Sequence, residues 1–125
     1  MEKTVIIVDD KAIMRQALCR LFKAAGDFSV CGEAASGSEA VALAPSLQPD
    51  LIVLDLCMPG MNGLETAEAL RKLNLQSRII LYSLNADEIG HTKALAAGVS
   101  AVISKAEGVK NLITKARSLL TSSMA

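Results

Sequence analysis

Tryptophan is missing from this sequence, tyrosine occurs once (Tyr82) and phenylalanine twice (Phe22, Phe28). Aromatics therefore make up 2% of a 125-residue chain that is 51% apolar, so the core is expected to be aliphatic, built from Val, Ile, Leu and Ala. Charge of one sign is lacking too, because thirteen basic residues offset thirteen acidic ones. Without stacking rings or a basic excess, no nucleic acid is expected to be bound by this chain itself. No apolar run approaches the roughly 20 residues of a bilayer span, and no membrane partner is expected. The opening MEKTVIIVDDK turns acidic too early for a secretory signal, and the cytoplasm is the expected compartment. The three cysteines (Cys19, Cys31, Cys57) are odd in number and form no CxxC pair, which reads as reduced thiols. What remains is a length and composition suited to one folded domain.

Short apolar runs alternate with longer periodic segments five times along the chain. Thr4–Val8, Phe28–Cys31, Leu51–Leu54, Arg78–Tyr82 and Ser100–Ile103 read as strands. The first intervening segment carries Ile13, Ala17, Leu18, Leu21, Phe22 and Ala25 at helical spacing, with Arg15, Gln16, Arg20 and Lys23 facing elsewhere. Val109, Leu112, Ile113, Ala116 and Leu120 form the same kind of stripe near the end. Ser36 with Glu39, Asn62 with Glu65 and Asn85 with Glu88 have capping-box spacing. Gly26 and Gly98 sit where helices should stop. Pro45 predicts that the second helix kinks or ends early, near Ala44, because proline lacks a backbone donor and crowds the preceding turn. Strand–helix alternation implies a parallel sheet with helices on both faces, and the wholly apolar Leu51–Leu54 reads as a central strand. One domain over residues 1–122 is expected, with 123–125 a frayed tail.

In sheets of this kind, ligands bind beyond the carboxyl ends of the strands. Asp9 and Asp10 follow the first strand, Asp55 the third, Ser83 the fourth and Lys105 the fifth. Three carboxylates brought together repel: at ~5 Å and an effective dielectric of about 20, each pair costs roughly 3 kcal/mol. Such a cluster calls for a cation, a raised pKa, or both. An oxygen-only donor set suits Mg²⁺, while a lysine ammonium and a serine hydroxyl suit phosphoryl oxygens. The chemistry inferred is a carboxylate nucleophile that receives a phosphoryl group.

VIIVDD, LIVLDLCMPGMNGLE, ILYS and VISK together resemble the receiver domain of two-component response regulators, over about Thr4 to Leu120. DFSVCGEAASGSEAV further resembles receivers that precede a LuxR-type helix-turn-helix. The resemblance implies an α/β, flavodoxin-like (CheY-like) doubly wound (βα)5 fold of strand order 2-1-3-4-5. It implies that Asp55 accepts phosphate from a histidine kinase, that Asp10 binds Mg²⁺ directly and Asp9 largely through water, and that the Cys57 backbone carbonyl is a third protein ligand. Ser83 and Lys105 would contact the phosphoryl group. A changed surface of helix four, strand five and helix five would then control an output, by transcription regulation through a separate DNA-binding domain, with homodimerisation on phosphorylation. Three positions depart from the family pattern: Leu84, Val102 and Ala106, the last standing where a proline usually follows the lysine. Leu84 replaces the usual small residue after the serine and reads as a gate at the mouth of the site, with Asn85 beside it to orient water. Val102 replaces the ring that often precedes the lysine by three residues, so an aromatic flip is not available.

Each of these residues also has a plainer reading. Asp9-Asp10 alone would be a solvated strand end, Asp55 a loop cap, Lys105 an exposed lysine and Ser83 a turn former; their joint placement is what favours a site. Gly60 and Gly63 read as loop chemistry, and His91 as solvent-facing. Two other classes of function stay open. A phosphorylation-independent interaction module on the receiver fold is favoured by Leu84 and Val102. A flavodoxin-type mononucleotide binder would need a hydroxyl- and glycine-rich first loop and rings to stack a flavin. A multiple-turnover enzyme is not expected, only phosphoryl capture and slow self-hydrolysis.

Overall fold

The computed structural model describes residues 2–83, 91–105 and 108–122; the side chains of residues 91, 109 and 122 also fall outside that description. Five strands and five helices alternate: β1 (Lys3–Val8), α1 (Ala12–Ala25), β2 (Phe28–Ala34), α2 (Gly37–Leu47), β3 (Leu51–Leu54), α3 (Gly63–Lys72), β4 (Arg78–Ser83), α4 (His91–Ala96), β5 (Ala101–Ser104) and α5 (Val109–Ser122). All strand pairings are parallel and the order is β2-β1-β3-β4-β5, as expected. Central β3 is buried along its whole length, which accounts for its unbroken apolar sequence.

Two apolar layers flank the sheet. On one face Val5, Ile7, Val53 and Ile80 pack with Leu18, Phe22, Leu112 and Ala116 from α1 and α5. On the other, Ile6, Val8, Ile52, Leu54 and Leu81 pack with alanines and leucines of α2, α3 and α4. The core is aliphatic apart from Tyr82 and an edge-to-face pair, Phe22 and Phe28, with ring centroids 5.0 Å apart.

Several elements differ from the sequence expectation for local reasons. Strand β2 runs on to Ala34, because Gly32 and Glu33 belong to an edge strand that tolerates polar residues, and its register slips past Cys31 as a bulge. Ile13 does not join the buried stripe of α1: it is 84% exposed, and Ala17 is exposed with it, while Met14, Leu18, Cys19 and Phe22 face the sheet. Helix α2 does not stop near Ala44 but passes through Pro45 to Leu47. The helix closes beyond the proline, where Gln48 N–H donates to the Ala44 carbonyl and Gln48 Nε2 donates to the Pro45 carbonyl. Gly26 takes the left-handed cap after α1 (φ 87°). At Asn62 and Glu65 both halves of the capping box are formed, at 2.9 Å each. At Ser36 only the hydroxyl half is made, because Glu39 reaches back to Ala35 N–H instead. The Asn85–Glu88 pair, Leu84 and the His91 side chain lie outside the described residues. Among the described residues no helix is long and apolar enough to cross a membrane.

Candidate functional site

The strand pairing delivers the acids to one edge. Asp9 N–H donates to the Ala34 carbonyl and Asp55 N–H to the Val8 carbonyl, so the two aspartates sit one step beyond neighbouring strands. Asp9 is fully buried and Asp55 nearly so, with Asp10 half-buried beside them. One carboxylate oxygen from each of the three lies within 4.8 Å of the others. Asp9 Oδ1 accepts from Lys11 N–H at 2.9 Å, which settles the chain entering α1, where Lys11 brings no capping side chain. Among the described residues, Asp9 Oδ2, Asp10 Oδ1 and Asp55 Oδ2 are buried without a hydrogen-bond partner.

Lys105 comes to the same place from the end of β5. Its ammonium lies 3.4 Å from Asp55 Oδ1 and 3.7 Å from Asp9 Oδ2, on a side chain only 9% exposed. Burial pushes the Asp55 carboxyl above its ordinary pKa, the Lys105 charge pulls it back, and the Asp9 charge pushes it up again. Ser83 closes β4, almost fully buried, in register with Ser104 of β5. Cys57 lies two residues past Asp55 on the surface. Val102 is not part of this cluster; it packs half-buried with the α2–α4 layer. Leu84 and Asn85 fall outside the described residues.

The loop from Asp55 to α3 explains the glycines of MPGMNG. Gly60 adopts φ +75°, a left-handed turn. Gly63 opens α3 so close to the site that a Cβ there would lie 2.6 Å from the Asp55 carbonyl oxygen and 2.8 Å from Leu56 Cα.

Two contacts were not legible from sequence. Arg15, on the face of α1 expected to point outward, donates through Nη1 to the Asp9 carbonyl at 2.8 Å and pairs through Nε with Glu33 of β2 at 3.2 Å. Tyr82 lies beneath Lys105, with its ring centroid 5.7 Å from Nζ. Spacing carries no signal for either, although an arginine six places after a strand-end acid is within reach of that strand end.

Comparison with known proteins agrees with this arrangement. The family model described as response regulator receiver domain matches residues 5–117. The nitrate/nitrite response regulator protein NarL of Escherichia coli (strain K12) is 42% identical over 102 residues, 82% of this chain and 47% of NarL, so the chain spans about half the length of that relative. Chemotaxis protein CheY of Thermotoga maritima is 37% identical over 105 residues, 84% of this chain and 87% of CheY. The solved structure of a two-component response regulator of the LuxR family from Aurantimonas sp. SI85-9A1 superposes with a TM-score of 0.90 at 27% identity, covering 98% of this chain and 87% of that one.

Proposed function

We propose a function from one premise: the chain belongs to the family of response regulator receiver domains of two-component signalling. Asp55 takes a phosphoryl group from the phosphohistidine of a histidine kinase and holds it as an acyl phosphate. The observation that carries this reading is the meeting of three carboxylates, each with a buried oxygen lacking a hydrogen-bond partner among the described residues, beside a lysine ammonium.

Those oxygens also fit a hard cation. Mg²⁺ takes oxygen ligands, uses one or two carboxylates and keeps several waters; Asp10, Asp9 and the Cys57 backbone carbonyl would hold it. When bound, it offsets carboxylate charge and that of the phosphoryl oxygens. The remaining work falls to the chain. An Asp55 oxygen attacks phosphorus; the O–P bond forms as the P–N bond breaks, and the imidazole leaves with the electron pair. Lys105, already facing Asp55, helps keep that carboxyl ionised for attack and then pairs with a phosphoryl oxygen. The Ser83 hydroxyl, at the neighbouring strand end, donates to another. Attack by water later breaks the acyl phosphate and releases inorganic phosphate, so the domain is a switch with one capture per cycle. Control of transcription through a separate domain, a changed α4–β5–α5 surface and homodimerisation complete the proposal; that the match covers only 47% of NarL supports a further domain in relatives.

Incubation with acetyl phosphate and Mg²⁺, followed by intact mass, tests it. Wild type should gain one phosphoryl mass, and neither Asp55→Asn nor wild type in EDTA should. Undiminished labelling of the Asn variant would overturn the assignment.

A further inference from the structure

The sole tyrosine of this chain lies under the lysine that faces the acid cluster, yet the phosphoryl chemistry above makes no use of it. Tyr82 precedes Ser83 on β4, is 4% exposed, and packs within the apolar layer of α1 and α5 beside Ile103 and Leu112. The Lys105 ammonium stands over its ring at 5.7 Å from the centroid, inside the roughly 6 Å range of cation–π attraction. The two carboxylates that face the same ammonium, at 3.4 and 3.7 Å, are both beyond the about 2.7–2.9 Å of a tight charge-assisted hydrogen bond. Among the described residues, Lys105 donates only one long hydrogen bond, to Asp55 Oδ1 at 3.4 Å, and is thus not held tightly by either acid. It is suspended between them and the ring, on a side chain with little access to water.

We propose that Tyr82 is a positioning residue for Lys105: its ring face holds the ammonium at the strand ends, so that its N–H donors are aimed at the place where a phosphoryl group on Asp55 would sit. This rests on Lys105 being the partner of that group. A ring face suits the task because it attracts the cation without taking a hydrogen bond from it. An oxygen acceptor in the same spot would bind one N–H and compete with the phosphoryl oxygens. A leucine would fill the space but leave the ammonium to the acids, drawn towards Asp9 and Asp55 and away from the incoming group. The phenol hydroxyl has no part in this, so phenylalanine should serve as well as tyrosine.

Two readouts test the proposal, one independent of phosphorylation. In protein labelled with ¹³C-lysine, the Lys105 side-chain methylene protons, assigned by their loss in Lys105→Met, should be displaced upfield by the ring in wild type and in Tyr82→Phe. They should return to ordinary positions in Tyr82→Leu. Ordinary positions in wild type would overturn the proposal, and this measurement decides even if the leucine variant does not fold. The second readout is the rate of phosphoryl uptake from acetyl phosphate with Mg²⁺, by intact mass. Tyr82→Phe should match wild type within about twofold, while Tyr82→Leu should be slower by roughly fivefold or more, near 1 kcal/mol of barrier. A phenylalanine variant as slow as leucine, or a folded leucine variant as fast as wild type, would refute the role of the ring. No uptake by wild type would instead count against Asp55 as acceptor, leaving the methylene shifts to judge Tyr82.

Discussion

Replacing Asp10 by asparagine should make the metal-free protein more stable. Three carboxylate oxygens within 4.8 Å of one another repel by about 3.5 kcal/mol per pair at an effective dielectric near 20. The Lys105 ammonium, at 3.4 and 3.7 Å, offsets much of this for Asp55 and Asp9, whereas Asp10 has no ion pair among the described residues. Asp10→Asn removes two repulsive pairs and sacrifices no contact with Lys105. Since Asp10 is half-buried, solvent screens a large part of the gross figure, and a net gain of about 1–3 kcal/mol remains. For a domain of this size that corresponds to a rise in Tm of roughly 5–10 °C. Asp55→Asn should gain less, because it also gives up the attraction of Lys105. Thermal melts by circular dichroism in EDTA and again in 10–100 times the Mg²⁺ Kd separate the terms. Saturating Mg²⁺ stabilises wild type by RT ln(1 + [Mg²⁺]/Kd), about 2.7 kcal/mol at a hundredfold excess, and should leave Asp10→Asn nearly unmoved. An Asp10→Asn variant no more stable than wild type in EDTA would refute the idea of a strained, uncompensated cluster.

Other substitutions probe the scaffold around the site. Gly63→Ala should cost about 1–3 kcal/mol in chemical denaturation, because its Cβ meets backbone at Asp55 and Leu56; a neutral outcome would mean that α3 can shift freely. Asn62→Ala should cost about 1 kcal/mol by loss of the capping box, with Glu65→Ala after it adding little; full additivity would show that the two halves act separately. Arg117 forks onto Asp27 at 2.8 and 3.0 Å, and that hydrogen bonding holds the Asp27 carboxyl below its ordinary pKa. A depressed folded-state pKa gives stability that is present above the unfolded value and lost as pH falls through the folded one. Asp27→Asn should therefore melt slightly below wild type at pH 7, and the gap should close as pH falls below the ordinary carboxylate range; a gap that persists in strong acid would point to packing instead of charge.

The sheet and its acidic edge were legible in the sequence for a physical reason: strands buried on both faces are written as unbroken apolar runs, and each ends where a polar residue appears. Leu51–Leu54 followed by Asp55 is the plainest case. Edge strand β2 runs past its apolar stretch because Gly32 and Glu33 need not be apolar where one side of the ladder is open. Helical spacing alone does not fix the rotation of α1 to better than about one residue, so it places Ile13 and Ala17 in a stripe where the sheet takes Met14 and Cys19. Arg15 on the Asp9 carbonyl and Tyr82 under Lys105 depend on how β1, α1, β4 and β5 are stacked, which no local pattern encodes.

Borohydride reduction of the acetyl phosphate-treated protein tests the central claim most directly, because it converts an aspartyl phosphate to homoserine and so marks the accepting residue. Peptide mapping should place a single homoserine at position 55, dependent on Mg²⁺ and absent without the phosphodonor. Homoserine at Asp9 or Asp10, or none in protein that has gained a phosphoryl mass, would contradict it.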